Sequence, residues 1–230
     1  MKIGIIAAMR HEMDLLAEQL DDLFVEDYAS FKFYCGSLGN NDVIIVESGM
    51  GKANAVMAST LLVSRFECNL LINTGIAGGI SPLETNDVIL GTKIMYGDVD
   101  ARLFGVSYGQ IPGMPKYYSP SDTILMLAKR TLNKLNISYK QEKIYTSDKF
   151  ITTFEPLKEI EEKDGAAIEM EGCAVAQTAT RLGVDFLVLR YICDIIGKEN
   201  QEKDYFKFEH DVAERSALIT SELIKNIYFE

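Results

Sequence analysis

The chain has 230 residues, of which 47% are apolar and 25% charged, as in globular proteins that bury a sizeable core without covalent staples. Its net charge of −11 argues against a protein that binds nucleic acid or anionic membranes, because both need a basic surface. Four cysteines without metal-site spacing and two histidines predict free thiols in a reducing cytosol and no histidine-rich metal centre.

The N-terminal segment predicts a strand followed by a helix. A continuous apolar run from Lys2 to Ala8 is typical of a parallel strand covered on both faces. Charges return at Arg10 without a small-residue cleavage site, so the run is not a signal peptide. Met13, Leu16 and Leu20 recur at helical spacing and predict a buried helix face. No segment approaches the roughly 18 apolar residues that a membrane span needs.

The next segment predicts a hairpin, a helix and a strand. Alternating residues at Phe31–Leu38 and Asp42–Ser48 flank the turn at Gly39–Asn41. An alanine-rich helix from about Ala53 to Phe66 leads to a buried strand at Asn69–Gly75, which runs into the glycine loop TGIAGG. Glycines in such a loop permit a tight turn and a close approach of the backbone to a ligand.

The second half continues the alternation of strands and helices. The pattern predicts a strand at Asp87–Gly97, a long loop at Asp98–Pro120, helices at about Thr123–Leu135 and Glu171–Leu182, a strand from Val184 to Asp194 and a last helix from about Asp211 to Ile227. An irregular loop of that length is usually functional. Without a repeat or linker, the chain is predicted to be one α/β domain, residues 1–230, with a parallel or mixed sheet.

The buried face of the Glu171–Leu182 helix is predicted from its apolar spacing. The residues assigned to that face are Ala174, Val175, Thr178, Ala179 and Leu182, and Gly183 is the predicted stop.

Three polar features follow strands of the predicted sheet. Glu12 follows the first strand, the TGIAGG loop follows another, and Asp194 closes the strand FLVLRYIC. Ligands of open α/β sheets bind beyond the carboxyl ends of the strands, so these features predict one site. Burial next to so apolar a strand is expected to raise the pKa of Asp194. Each acid also has a structural interpretation, as a helix N-terminal acid or a strand-end cap.

The segment AAIEMEG adds a pair of acids at the start of a predicted helix. Because positions i and i+2 of a helix point in different directions, only one of Glu169 and Glu171 is expected to face a ligand. A first-turn acid pair is the structural alternative. Neither the glycine loop nor SGMGK has the spacing of a triphosphate-binding loop, so a nucleoside triphosphate is rejected.

Seven segments together resemble a known family. In order, they are MKIGIIAAMRHEM, ESGMGKANA, INTGIAGG, FGVSYGQIPG, SDKFI, AIEMEG and LRYICD. The chain is identified by them, over nearly its whole length, as a member of the bacterial 5'-methylthioadenosine/S-adenosylhomocysteine nucleosidases, within the purine nucleoside phosphorylase superfamily. The resemblance implies a single-domain three-layer sandwich with a central mixed sheet flanked by helices.

The resemblance also implies roles for the acids. Glu12 matches the family's activator of the attacking water, with Arg190 nearby. Glu171 matches the residue that holds the ribose hydroxyls, and Asp194 matches the acid that protonates N7 of adenine. Hydrolysis through an oxocarbenium-like state needs one neutral and one ionised carboxyl group, and the implied roles fit that requirement. No metal or cofactor is implied.

Other matches imply the substrate pocket and the assembly. Met9 and Met170 are implied to line the ribose, Phe150 to stack on the base, Ile151 to bind the base through its backbone, and Met50 to line the pocket. A second set is implied to reach the neighbouring subunit's 5'-alkylthio pocket: Ala101, Phe104, Val106 and Pro112. A cytoplasmic homodimer is therefore expected, with the loop at 104–112 completing the partner's site.

Four positions depart from the family's usual pattern. Ile76 and Cys193 stand where hydroxyl residues are usual, Gly97 replaces a histidine, and Val106 replaces a tyrosine. A thiol is a weaker hydrogen-bond partner than a hydroxyl, so Cys193 is expected to orient Asp194 less firmly.

Three alternatives remain beside hydrolysis of methylthioadenosine and adenosylhomocysteine. A related nucleosidase acting on another 5'-substituted adenosine, such as aminodeoxyfutalosine, would suit the Val106 departure. A phosphorylase would need a phosphate site, which Glu12 would repel and to which Ile76 offers no hydroxyl. A non-catalytic nucleoside-binding relative would not need all three acids.

Overall fold

The computed structural model describes residues 1–8, 10–199 and 201–227. Its strands are β1 (Lys2–Ala7), β2 (Asp21–Tyr28), β3 (Phe31–Leu38), β4 (Asn41–Glu47), β5 (Leu70–Thr74), β6 (Ile76–Gly79), β7 (Val88–Tyr96), β8 (Lys140–Thr146), β9 (Ala167–Glu169) and β10 (Asp185–Ile195). Its helices are α1 (Arg10–Ala17), α2 (Lys52–Ser64), α3 (Asp122–Lys134), α4 (Gly172–Leu182) and α5 (Gln201–Asn226).

The ten strands of the described residues belong to one mixed sheet, in the order β2-β3-β4-β1-β5-β10-β6-β9-β8-β7. An additional antiparallel pairing between β10 and β7 closes the second half of the sheet on itself. The first half of β10 pairs with β5, and its second half pairs with β6. Strand β10 therefore joins the open and the closed parts of the sheet.

Strand β10 carries an irregularity next to Asp194. Its pairing with β6 shifts register between Ile192 and Asp194, which face the consecutive residues Ala77 and Gly78. Cys193 is thus the extra residue of a β-bulge, a feature that re-aims the side chains beside it.

Apolar layers lie on both faces of the sheet. One core cluster joins the sheet to α1, α3 and α5 through residues such as Leu16, Leu127 and Leu223. A second joins it to α2 and α4 through residues such as Leu62 and Val175. The predicted three-layer α/β architecture is confirmed, because helices cover both faces of the central sheet. None of the described helices has the length and apolar composition of a membrane span.

Most predicted elements are present, with the hairpin β3–β4 confirmed in antiparallel pairing. The glycine segment was wrongly predicted as a loop: Ile76–Gly79 is strand β6, which pairs with β10 and β9. Glycines permit this because a side chain at Gly79 would come within 2.9 Å of Ile192. The last helix begins at Gln201 rather than Asp211, and Leu182, predicted to be buried, is 43% exposed at the end of α4.

Candidate active site

One cleft beyond the carboxyl ends of the central strands collects most of the residues singled out in the sequence. The predicted residues that line it are Glu12, Met50, Ile76, Phe150, Ile151, Met170, Glu171, Arg190, Cys193 and Asp194. Met9 lies outside the described residues. Ala101, Phe104, Val106 and Pro112 do not line this cleft. Among the described residues, no three His, Cys, Asp or Glu side chains form a metal-binding group.

Glu12 sits at the start of α1 and is nearly inaccessible, with 1% of its surface exposed. Its Oε1 accepts a hydrogen bond from the backbone N–H of Ile76 at 3.1 Å. The approach requires the preceding glycine: Gly75 has a φ of +153°, and a Cβ there would lie 3.2 Å from Oε1. The carboxylate of Glu12 therefore already accepts the hydrogen bond that the backbone N–H at the start of β6 can donate.

Glu169 and Glu171 both line the cleft, where only one was expected to face a ligand. Glu169 ends β9, forms a buried ion pair with Arg190 and accepts a hydrogen bond from the hydroxyl of Thr146. Its Oε2 also accepts from the backbone N–H groups of Glu171 and Gly172, at 2.9 and 2.6 Å. Glu169 thus fixes the turn that aims Glu171.

Glu171 faces the N-terminus of α2 across the cleft. Its Oε1 accepts from the backbone N–H of Gly51 at 2.8 Å. Burial, and next the nearby Glu169, raise the pKa of Glu171 to about 7. Desolvation and the nearby carboxylate of Glu169 thus disfavour the charged form of Glu171.

Arg190 is a buried cation held by polar atoms of β5, β9 and β10. Nη2 donates to Glu169 and to the side-chain oxygen of Asn73, and Nη1 donates to the carbonyl oxygens of Asn73 and Leu189 at 3.1 and 2.9 Å. Of these partners, Glu169 lines the cleft, as Arg190 itself does. The implied role of Arg190 beside Glu12 stays a prediction.

Asp194 lies near the end of β10 with both carboxyl oxygens in hydrogen bonds. Oδ1 is 2.8 Å from the Cys193 thiol and Oδ2 is 2.7 Å from Nε2 of Gln201. Burial raises the pKa of Asp194, against a lowering by these two donors. Burial, and next Asp194 itself, raise the pKa of the Cys193 thiol well above its usual range, so the thiol remains a donor.

One end of the cleft is aromatic. The Phe150 ring is 53% exposed and meets Tyr205 of α5 edge to face, with centroids 5.3 Å apart. The neighbouring Ile151 is buried, and its carbonyl oxygen accepts from Gln201 at 2.8 Å. A flat apolar ring beside a backbone carbonyl suits a planar heterocycle with an amino group.

The sequence did not single out several residues of the cleft. Asn73, which accepts a hydrogen bond from Arg190, lies inside the predicted strand at Asn69–Gly75, and a polar side chain in so apolar a run is a usable signal. Tyr205, which lines the cleft, and Gln201, which binds Asp194, gave no such signal, because the pattern placed the last helix ten residues too late.

The segment between β7 and α3 is mostly irregular, as predicted. It holds a short 3-10 turn at Arg102–Phe104, where Leu103 and Phe104 are 92% and 73% exposed. Val106 lines a second, more polar cavity together with Lys93 and Lys143. Within one chain these loop residues are thus separate from the cleft.

Comparisons with known proteins agree with the geometry. Residues 2–225 match the model of the Phosphorylase superfamily. A 5'-methylthioadenosine/S-adenosylhomocysteine nucleosidase of Listeria innocua is 37% identical over 242 residues, covering 99% of this chain and 100% of the relative. The S-adenosylhomocysteine nucleosidase of Streptococcus pyogenes, solved with 5-methylthiotubericidin, superposes with a TM-score of 0.93 at 34% identity, covering 100% of this chain and 98% of that one. A futalosine hydrolase mutant of Helicobacter pylori superposes with a TM-score of 0.92 at 27% identity, covering 98% and 99% of the two chains. The chain belongs to the Phosphorylase superfamily and, within it, to the 5'-methylthioadenosine/S-adenosylhomocysteine nucleosidases.

Proposed function

We propose that this protein hydrolyses the N-glycosidic bond of 5'-methylthioadenosine and S-adenosylhomocysteine, releasing adenine and the 5-thio-substituted ribose. The observation that carries the choice of hydrolysis is the contact between Glu12 and Ile76. A phosphorylase needs free donors for a phosphate, whereas here a carboxylate takes the backbone N–H at the start of β6. A second anion beside Glu12 would be repelled, so water is the nucleophile that suits this site.

The three acids divide the work of the reaction. Glu12 orients the water and accepts its proton, and Glu171 binds the ribose hydroxyls as positive charge develops on the sugar. Asp194 gives its proton to the leaving base. Its burial supports this role, because a raised pKa favours the neutral acid that donates the proton. Arg190 supports the arrangement by neutralising Glu169.

The substrate lies along the cleft in this proposal. The base packs on Phe150 and binds the backbone of Ile151, while Met170 lines the ribose and Met50 lines the apolar pocket. Cys193 holds the acid, and the backbone N–H of Ile76 holds Glu12. These residues form one binding surface for an adenine nucleoside, with no resident cofactor or metal in the proposed reaction.

The assembly is also a proposal. The exposed Leu103 and Phe104 present apolar surface that a partner would cover. In a cytoplasmic homodimer, Ala101, Phe104, Val106 and Pro112 reach the partner's 5' pocket, and each chain acts as one domain. Measuring the oligomeric state of Phe104→Ala by sedimentation tests this proposal.

A nucleosidase for another 5'-substituted adenosine is the second candidate. Two observations favour it: the similarity to the Helicobacter pylori futalosine hydrolase, and Val106, which removes a polar group from the implied 5' pocket.

The deciding experiment measures adenine release in phosphate-free buffer. The substrates are 5'-methylthioadenosine, S-adenosylhomocysteine and aminodeoxyfutalosine. Release from the first two without phosphate supports the main proposal, and release from aminodeoxyfutalosine alone supports the second. Turnover only after phosphate is added would show a phosphorylase, and an inactive panel would show a binding protein.

A further inference from the structure

Gln201 connects the first turn of α5 to two walls of the cleft. It is 3% exposed. Its Nε2 donates to Asp194 Oδ2 at 2.7 Å and to the Ile151 carbonyl oxygen at 2.8 Å, while its Oε1 accepts from the backbone N–H of Gly197 at 3.1 Å. Because the nitrogen faces two acceptors and the oxygen faces a donor, only this orientation of the carboxamide satisfies every group.

We propose that Gln201 is a positioning residue for the reaction, which fixes the proton donor Asp194 and the base-binding carbonyl of Ile151 relative to each other. The inference rests on the proposed function and goes beyond it, because Gln201 lies outside the residues that line the cleft. It acts on the substrate through Asp194 and Ile151.

The chemistry of the carboxamide suits this role. One planar amino group gives one hydrogen to each acceptor, so it sets the separation and the direction of both oxygens. A carboxylate or carbonyl oxygen has two lone pairs, and each therefore keeps acceptor capacity for a ligand. The edge of adenine that carries the 6-amino group and a protonated N7 presents donors to just such a pair of acceptors.

The same contact ties the site to α5. Tyr205 follows Gln201 by four residues, one helical turn later on the same side of α5. It lines the cleft and meets Phe150 edge to face. The first turns of α5 thus hold the acid through Gln201 and the aromatic wall through Tyr205. A displaced helix start would loosen both ends of the base-binding region together.

The groups around Asp194 influence its pKa, and the pH dependence of kcat would report that pKa. On β10 the neighbour is the Cys193 thiol, and on α5 the carboxylate of Asp204 acts at a distance to raise the pKa of Asp194. Glu12 of α1, Lys149 of the loop after β8 and Tyr205 of α5 line the same cleft. Like the Cys193 thiol, Gln201 is an uncharged donor that stabilises the ionised form of Asp194, and it also binds the carbonyl oxygen of Ile151.

The test compares Gln201→Leu and Gln201→Glu with wild type and with Lys203→Ala, whose side chain is exposed in the same helical turn. The readouts are kcat for methylthioadenosine across pH and the affinity for adenine by calorimetry. Leu keeps the volume but removes the donors, so the pKa of Asp194 rises and the alkaline limb of kcat moves up by about one unit. Loss of alignment lowers the plateau of kcat by about tenfold or more.

Gln201→Glu is nearly isosteric with the wild type, so it keeps the test usable if the Leu variant fails to fold. Its added carboxylate raises the pKa of Asp194 further, so the limb is expected to move up by more than in Gln201→Leu. Lys203→Ala is expected to match wild type in both readouts.

Two results would overturn the inference while leaving the proposed function intact. An unmoved alkaline limb in both variants would make Gln201 a structural anchor of α5 only. Tighter adenine binding by Gln201→Leu would mean that the amide competes with the base. If the wild-type protein releases no adenine at all, the proposed function is wrong, and the inference, which rests on it, is wrong too.

Discussion

Arg190 of β10 reaches Glu169 at the end of β9, and both side chains are almost completely buried, at 1% and 2% exposure. The pair joins two strands of the closed part of the sheet, and both residues line the cleft. Glu169 also accepts the N–H groups of Glu171 and Gly172. One carboxylate therefore both neutralises a buried cation and fixes the turn that carries Glu171.

Removing that carboxylate is expected to destabilise the protein strongly. Glu169→Ala leaves Arg190 buried without its counter-ion, which costs about 3–5 kcal/mol of unfolding free energy. Urea unfolding of the variant and of the wild type measures this loss of unfolding free energy. The matched control is Glu26→Ala, which breaks the partly exposed ion pair with Arg65 and is expected to change stability little. Equal losses in the two variants would contradict a special role for the buried pair.

Asp194→Asn is expected to lose turnover by about 10²–10⁴-fold, because an amide cannot supply the proton to the leaving base. Folding should persist, since the amide has nearly the same size and shape. Adenine release and thermal unfolding together measure the two effects. Near-normal release by a folded variant would remove Asp194 as the acid.

Glu171→Gln is expected to stabilise the protein in alkaline solution. The pKa of Glu171 is raised from 4.5 to about 7, so between these values the folded protein binds more protons than the unfolded chain. Its unfolding free energy therefore falls as the pH rises through that window. The variant avoids this loss and gains about 1–3 kcal/mol above pH 7.

Unfolding free energies of Glu171→Gln and wild type, measured by urea at several pH values, check this prediction. The advantage should vanish below about pH 4, where both states of Glu171 are protonated. A constant difference at all pH values would mean that the effect does not come from titration of Glu171. Ribose binding should weaken in the same variant.

Cys193→Ser and Cys193→Ala should move the pH profile in opposite directions. A hydroxyl is a stronger donor than a thiol, so Ser lowers the pKa of Asp194 and shifts the alkaline limb of kcat down by up to about one unit. Ala removes the donor and shifts the limb up. Cys68→Ala is the control: this thiol is buried in the core near Gly4, and the limb should stay in place.

The positions of the acids were accessible from the sequence because strand ends determine them. Glu12 follows β1 and Asp194 lies near the end of β10, two strands with unmistakable apolar runs, and the parallel pairing of both strands with β5 brings such ends to one edge. Strand β2 was not predicted, because nearly all its residues are exposed and no burial pattern marks it. The position of β2 in the sheet depends on its antiparallel pairing with β3.

The partners of Asp194 were harder to predict. Cys193 departs from the family pattern, but its contact with the adjacent carboxylate depends on the bulge in β10. The position of Gln201 depends on where α5 begins. That beginning follows from contacts with Ile151 and Gly197, which no local periodicity encodes.

The bulge in β10 has a consequence for comparisons between distant relatives. In a regular strand neighbouring side chains point to opposite faces, whereas Cys193 and Asp194 both border the cleft. The direction of the acid is therefore set by the number of residues between Ile192 and Asp194, whatever their identity. Deleting one residue there would preserve the aspartate in an alignment yet turn its carboxyl group away from the cleft. An intact motif with a shortened strand would mark a relative that has lost the chemistry while keeping its signature.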